Sequence, residues 1–99
     1  MPARRMSHAE AWRRMQAGGV TVLDIRTPAE YAEAHLPGAV SLPAEQLARA
    51  PALLPRERPV LVYCRGGQRA GWAAGRLARM GFAAWDIGGI LAWPYDVEP

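Results

Sequence analysis

The most constraining feature of the sequence is a continuous apolar run that ends in the chain's only cysteine. The run, PVLVYC at residues 59–64, places four apolar residues directly before Cys64. Strands without polar alternation are typical of parallel sheets, which are buried on both faces. A basic, glycine-containing stretch follows, and an alanine-rich segment comes after it. The sequence therefore predicts a buried strand, a tight loop and a helix in succession around Cys64.

Helix and strand signals also alternate before this run. Ser7 and Glu10 have the spacing of a capping box and predict a helix over SHAEAWRRMQAGG, which the two glycines at its end would close. The stretch Val20 to Ile25 is β-branched and mostly apolar and predicts a buried strand. Thr27 is a suitable N-cap for a short second helix over TPAEYAEAH, with proline as its first residue.

The rest of the chain continues the alternation. The predicted elements are a turn and short strand in LPGAVSLP, a short helix from Pro43, a proline-bounded connection PALLPRER, a helix RAGWAAGRLARMG closed by Gly81, a strand and turn in FAAWDIGG, and a last short helix or turn in ILAWPY. This order favours an α/β fold with a mostly parallel sheet and helices on both faces. We expect one domain over residues 1–99, a typical size for a single small domain.

Composition and charge exclude several classes of function. The net charge is +3, and the arginines are scattered without interleaved aromatic residues, so nucleic-acid binding is not expected. One cysteine excludes an internal disulfide and argues against a thiolate zinc site. The amino-terminal segment lacks the apolar core of a secretory signal, and no apolar run has membrane-spanning length. We expect a cytoplasmic protein without a metal or cofactor.

The loop after Cys64 has the chemistry of an anion site. Gly66 and Gly67 lack side chains, so consecutive amide groups can turn toward one point, and the following helix adds the positive end of its dipole. Arg65 and Arg69 add full positive charges. Such surroundings favour a thiolate, which makes Cys64 a candidate nucleophile without a partner base. The alternative is a small buried apolar residue at a strand end, which leaves the two flanking arginines unexplained.

Three motifs, in order, resemble those of the rhodaneses, a family of sulfurtransferase domains. CRGGQR resembles the family's six-residue active-site loop, C-R-S-G-x-R, and the segment from Asp24 to Pro43 resembles its D-x-R-x-x-x-E signature with the G-A-x-x-[IL]-P ending. GGILAW, Gly88 to Trp93, resembles the closing G-G-x-x-x-W motif. The resemblance covers about Ser7 to Tyr95 and implies a small rhodanese-like domain.

The resemblance also implies a mechanism. Cys64 would attack the outer sulfur of thiosulfate or a similar donor, become a persulfide, and pass that sulfur to cyanide or a thiol. No metal or cofactor takes part in this chemistry. Backbone amides would cradle the terminal sulfur, and the arginines would attract the anionic donor. The residues expected to bind the substrate or the persulfide are Arg65, Gly66, Gly67, Gln68 and Arg69.

Departures from the family pattern leave the donor open. Gly66 stands where serine is common, Ala70 replaces a frequent serine, and Ala34 replaces the usual glycine before His35. Phosphatases of the same fold have one more loop residue, so the short spacing from Cys64 to Arg69 favours a single sulfur atom over a phosphate. The alternative function is a rhodanese-like relay or binding module with little thiosulfate turnover, which would pass sulfur to a protein acceptor.

Other polar residues have structural interpretations. Asp24, Arg26 and Glu30 are expected to form an ion-pair and capping cluster, because sulfur transfer hardly needs general acid–base catalysis. His35 falls in a scaffold motif of the family and is not expected to act as a base for Cys64. His8 is predicted to be solvated on the first helix.

Aromatic and small residues complete the expectations. Trp72 either lines the mouth of the site or packs, and Trp93 and Gly89 are candidate walls of the pocket. The small residues of the helix after the loop are expected to let it approach the sheet closely; they are Gly71, Ala74, Gly75 and Ala78.

Overall fold

The computed structural model describes residues 4–99 and contains a five-stranded sheet in which every strand pairing is parallel. Residues 1–3 of the predicted domain lie outside the described part. The sheet order is β1-β5-β4-β2-β3. The strands are β1 (Arg4–Arg5), β2 (Thr21–Asp24), β3 (Val40–Ser41), β4 (Val60–Cys64) and β5 (Ala84–Gly89).

Helical segments connect the strands. They are α1 (His8–Ala17), α2 (Pro28–Glu33), α3 (Ala50–Leu53), α4 (Ala70–Arg79) and two 3-10 helices, Ala44–Arg49 and Ile90–Ala92. The predicted α/β fold is confirmed. Two local predictions were incomplete, because β1 was not predicted and the connection PALLPRER contains most of α3. Within residues 4–99, no helix combines the length and the apolarity that a membrane span requires.

The sheet is buried on both faces by two separate apolar clusters. Along β4, Val60, Val62 and Cys64 pack with the buried residues of α4, whereas Leu61 and Tyr63 pack with α1 residues such as Ala11. All five residues of β4 are buried. The unbroken apolar run thus reflects a central strand with protein on either side, as the sequence indicated.

Caps define the first two helices. Ser7 Oγ accepts a hydrogen bond from the Glu10 amide at 3.1 Å, but the Glu10 carboxylate pairs with Arg13 and Arg14. The predicted capping box of α1 is therefore only half formed, because two arginines one turn later bind its acid. At α2, Thr27 completes the full box with a glutamate at the third helical position, so the turn after β2 is tightly fixed.

A buried polar network joins β2, β4 and the start of α2. Asp24 is fully buried and forms a two-point ion pair with Arg26, whose Nη2 lies 2.7 Å from Oδ2. The hydroxyl of Tyr63 donates to the same carboxylate at 2.7 Å and accepts from the Leu36 amide at 3.1 Å. Burial, together with the neighbouring carboxylate, raises the pKa of Tyr63, so its hydroxyl stays protonated and remains a donor.

The small residues of α4 divide between two environments. Ala74 is buried against the sheet, and a Cβ on Gly71 would lie 3.2 Å from the Asp86 carboxylate, so these two positions do bring the helix close. A Cβ on Gly75 would meet no atom within 4 Å, and Ala78 is exposed. For these last two residues the predicted packing role is wrong, because they face outward.

The buried network generates a prediction about stability. Tyr63→Phe removes the hydroxyl and leaves the buried Leu36 amide without its partner, which should cost about 1–3 kcal/mol. Urea denaturation of the variant measures this loss. Tyr95→Phe is the matched control, because Tyr95 is 36% exposed and should tolerate the change without measurable loss. If Tyr63→Phe and Tyr95→Phe unfold at the same urea concentration, the Tyr63 hydroxyl does not stabilise the fold as predicted.

Candidate functional site

Cys64 is the last residue of β4 and lies at the carboxyl edge of the parallel sheet. The neighbouring strand β5 contains an irregularity at this level: Val62 pairs with Asp86, but Cys64 pairs with Gly89. One extra residue in β5 therefore sits opposite Tyr63, and Gly88 takes a positive φ of 88°. This bulge places a glycine directly beside the cysteine.

The loop between β4 and α4 turns back over the thiol. The amide of Gly67 donates to Cys64 Sγ at 3.1 Å. Gly67 has a φ of 97°, which favours glycine and accounts for this residue in the loop. The loop arginines and Gln68 are exposed, whereas Cys64 is 5% exposed. The sulfur thus lies at the base of a shallow pocket with a backbone donor against it.

Gly89 supports the loop from behind. A Cβ at this position would lie 2.5 Å from the Arg65 carbonyl oxygen and 2.6 Å from the Gly67 nitrogen. Leu91 continues the contact, since its amide donates to the same Arg65 carbonyl at 3.1 Å. The loop geometry around the thiol therefore requires the absence of a side chain on β5. Gly89 was expected to wall the pocket, but it lies beneath the loop and not in the pocket lining.

The pocket above the cysteine has a volume of about 490 Å³. It collects residues from the ends of β2 and β4, from α2, and from both 3-10 helices. The lining residues are Ile25, Arg26, Thr27, Glu30, Glu45, Cys64, Arg65, Gly66, Gln68, Arg69 and Leu91. Five of the six residues predicted for the site meet here, and the sixth, Gly67, contacts the sulfur through its amide.

The charges of the pocket are unequally paired. Arg65 Nε lies 3.8 Å from Glu30 Oε2, and Arg26 is bound to the buried Asp24 carboxylate. Arg69 forms no salt bridge with any residue between 4 and 99. It precedes α4 directly, and no side chain in the described part of the chain caps that helix. A free guanidinium and an uncapped helix start both favour an anion near the loop.

Glu30 is ionised in this setting. Hydrogen bonds from the Thr27 amide and hydroxyl, together with Arg26 and Arg65, lower the pKa of Glu30 despite its partial burial. The predicted cluster of Asp24, Arg26 and Glu30 is thus present as an ion pair beside a capping box. Glu30 also reaches a loop arginine, a contact that the sequence did not indicate.

Neither histidine lines the pocket above the thiol. His35 is buried, stacks on Tyr31 with ring centroids 3.8 Å apart, and its Nδ1 lies 2.8 Å from the Tyr31 carbonyl oxygen. This agrees with its predicted scaffold role. The prediction that His8 is solvated is wrong: the ring is half-buried and meets Trp93 edge-on at 5.2 Å.

The tryptophans also lie outside the pocket. Trp72 is 49% exposed and lines a separate groove beside α4, so the structure excludes it from the pocket mouth. Trp93 is nearly buried and its Nε1 donates to the Asp96 carbonyl at 3.0 Å, which makes it a packing residue and not a pocket wall. Among residues 4–99, no group of three His, Cys, Asp or Glu side chains could hold a metal ion.

Sequence reasoning did not assign six of the lining residues to the site: Ile25, Arg26, Thr27, Glu30, Glu45 and Leu91. Glu45 comes from the 3-10 helix Ala44–Arg49, and Leu91, which is 66% exposed, comes from the last 3-10 helix. Glu45 lies outside the three family motifs, and Leu91 occupies a variable position of the G-G-x-x-x-W motif. Only the folded arrangement shows that these distant segments of the chain meet above Cys64.

Comparisons with known proteins give a consistent result. The sequence profile of the Rhodanese-like domain matches residues 7–94. A sulfurtransferase of Allochromatium vinosum is 38% identical over 76 residues, covering 75% of this chain and 71% of that protein. The thiosulfate sulfurtransferase GlpE of Coxiella burnetii is 32% identical over 95 residues, covering 94% of this chain and 89% of that protein.

Structural similarity and longer relatives add context. The crystal structure of a rhodanese-related protein from Thermoplasma volcanium has a TM-score of 0.86, 27% identity and coverage of 96% of this chain and 97% of that one. A similar segment also occurs within a larger protein. The chain is 42% identical over 65 residues to the HTH-type transcriptional regulator Rv0324 of Mycobacterium tuberculosis, and it spans only 29% of that regulator.

The lowered pKa of Glu30 predicts a pH-dependent contribution to stability. Because the folded state favours the carboxylate, this contribution is present above the unfolded-state pKa and disappears as pH falls through the lower folded-state value. At pH 7, Glu30→Gln should lose less than about 1 kcal/mol, since solvent screens the group.

Urea denaturation of wild type and Glu30→Gln from pH 7 to pH 3 measures the difference. The free energies of unfolding of the two proteins should converge toward acidic pH. Glu33→Gln, an exposed position on the same helix, controls for the change in net charge. If the difference in free energy of unfolding between wild type and Glu30→Gln stays constant down to pH 3, the lowered pKa of Glu30 is contradicted.

Proposed function

The chain belongs to the rhodanese-like domain family, and we propose from this membership that it moves the sulfane sulfur of thiosulfate, or of a similar anionic donor, through a persulfide on Cys64. The family and the two sulfurtransferase relatives support sulfur transfer in general. The observation that supports the residue assignment is the 3.1 Å contact between the Gly67 amide and the only thiol of the chain.

The loading step needs a nucleophile and an exit for sulfite. The Cys64 thiolate attacks the outer sulfur of thiosulfate, a sulfur–sulfur bond forms at Sγ, and the bond inside thiosulfate breaks as sulfite leaves with its electron pair. Arg69, which is exposed and free of an acidic partner in residues 4–99, attracts the dianion to the loop. Arg65 contributes less, because Glu30 offsets its charge.

The loop then holds the transferred sulfur. A persulfide anion carries its charge on the terminal sulfur, and we expect the backbone amides of residues 65–69 to stabilise it, with the Gly67 amide already 3.1 Å from Cys64 Sγ. Hydrogen bonds to a charged group contribute roughly 1.5–3 kcal/mol each, so a few amides suffice without a side-chain donor at Gly66. Cyanide or a thiol attacks the terminal sulfur next, and the Cys64 thiolate is regenerated.

A second candidate function is a relay or binding module whose sulfur donor and acceptor are proteins. The occurrence of a similar segment in a transcriptional regulator favours this candidate, since there the domain occupies a minor part of a larger protein. Both candidates use Cys64, but they differ in turnover. A relay module would form little thiocyanate from thiosulfate and cyanide.

Mass spectrometry of the intact protein tests the assignment of Cys64. After incubation with thiosulfate, the wild type should gain the mass of one sulfur atom, and addition of cyanide should remove it and release thiocyanate. Cys64→Ser should gain nothing, since it lacks the only thiol of the chain. A sulfur adduct on the serine variant would contradict the assignment, and loading without thiocyanate turnover would favour the relay module.

The loop support gives a further prediction about activity. Gly89→Ala places a Cβ 2.5–2.6 Å from the backbone of residues 65–67 and must displace the loop. A displacement of about 1 Å in a catalytic group can reduce a rate on the order of 100-fold, and we expect a loss of this size in kcat/KM for sulfur transfer.

Gly75→Ala is the matched control, because a Cβ there would meet no atom within 4 Å. It should leave sulfur transfer unchanged and stabilise α4 slightly, since alanine is a better helix former than glycine. Circular dichroism of both variants separates loss of the loop geometry from loss of folding. Full activity in a folded Gly89→Ala protein would contradict the proposed role of the loop.

A further inference from the structure

The pocket above Cys64 carries charges of both signs, although an anionic donor needs only positive ones. Arg65 and Arg69 come from the loop, Glu30 from α2, and Glu45 from the first turn of the 3-10 helix Ala44–Arg49. A carboxylate beside the thiol repels thiosulfate. Donor binding therefore does not account for the two glutamates, Glu30 and Glu45, in the pocket lining.

Most of these charges are compensated within the protein. Glu30 lies 3.8 Å from Arg65 and is fixed by the capping box of Thr27. Arg26 binds Asp24 and the Ala34 carbonyl, so its guanidinium has little capacity left for a substrate. These contacts explain the first carboxylate and the buried arginine as parts of the scaffold.

Two opposite charges remain. Arg69 and Glu45 are both exposed, and neither forms a salt bridge with the other or with any further residue in the described range 4–99. The Glu45 carboxylate also lacks a hydrogen-bond partner within this range. The pocket mouth thus presents one free guanidinium and one free carboxylate within a volume of about 490 Å³, which is ample for a small organic molecule beside the loop.

We propose that the acceptor side of this pocket selects a small zwitterionic aminothiol, with the ammonium group at Glu45 and the carboxylate at Arg69. This inference rests on the proposed function, because the acceptor reacts with the persulfide on Cys64. A neutral thiol gains nothing from either charge. A thiol with both charged groups is oriented at two points, so that its sulfur reaches the base of the pocket.

The transfer step is balanced without an oxidant. The acceptor thiolate attacks the terminal sulfur of the persulfide, and a new sulfur–sulfur bond forms between them. The bond from that sulfur to Cys64 Sγ breaks, and its electron pair leaves with Cys64 as the thiolate. The terminal sulfur keeps its own negative charge and the charge of the attacking thiolate passes to Cys64, so the product is the persulfide anion of the aminothiol.

A single-turnover experiment isolates this half of the reaction. Cys64 is loaded with inorganic polysulfide, and the discharge rate is measured with cysteamine, which carries an ammonium group, and with 2-mercaptoethanol, which carries no charge. Each acceptor is compared between wild type and Glu45→Gln, so that differences in intrinsic thiol reactivity cancel. Glu33→Gln, an exposed glutamate outside the pocket lining, is the matched control.

We expect Glu45→Gln to slow discharge by cysteamine about three- to tenfold at low salt, which is the scale of one solvent-exposed charge contact. Discharge by 2-mercaptoethanol should not change, and 1 M salt should remove the difference. Arg69→Gln should slow discharge by cysteine more than discharge by cysteamine, because only cysteine carries a carboxylate.

Specific outcomes overturn the inference. If Glu45→Gln changes the discharge rate equally for cysteamine and 2-mercaptoethanol, or changes neither rate, Glu45 does not bind the ammonium group of the acceptor. Failure of thiosulfate to load Cys64, with normal loading by polysulfide, would overturn the proposed donor and leave the acceptor comparison valid. If Cys64 takes up no sulfur from thiosulfate or from polysulfide, both the proposed function and the proposed acceptor are overturned.

Discussion

The close contact between Gly89 and the loop after Cys64 is the constraint on which the site depends. A Cβ at Gly89 would fall within 2.6 Å of loop backbone, so the loop and β5 meet without any side chain between them. The contact is available only because a bulge in β5 brings Gly89 opposite the cysteine. The thiol, its amide donor and the support behind them are therefore set by backbone geometry, and backbone amides arranged in this way favour an anion.

A second constraint fixes the other side of the pocket. The buried Asp24 carboxylate binds Arg26 and the Tyr63 hydroxyl, and these contacts tie the end of β2 to the strand that carries Cys64. Breaking one member of such a network leaves a buried charge or donor unsatisfied, which makes the arrangement rigid. Thr27 and Glu30 come shortly after Arg26 in the sequence. This network and the capping box therefore fix their positions at the pocket rim.

Local signals in the sequence were sufficient for most of the fold and for the strand, loop and helix around Cys64. The run before Cys64, the cap at Thr27 and the closing Gly81 each act within a few residues, and the structure has the corresponding elements. β1 was missed because a strand of two exposed arginines has no apolar pattern. The environment of His8 and the position of Glu45 were also missed, because each depends on contacts between segments that are distant in the chain.

A site built on one cysteine has to accept two different reactants at the same sulfur. If the donor is an anion, as proposed, an entirely positive pocket would bind it well, but such a pocket would also retain the departing sulfite and offer nothing to the ammonium group of the proposed acceptor. In this chain Glu30 offsets Arg65 and Asp24 offsets Arg26, whereas Arg69 and Glu45 line the same pocket without an ion-pair partner among residues 4–99. In the proposed reaction, backbone amides stabilise the charge on sulfur in both steps, so the side chains at the rim can distinguish one reactant from the other.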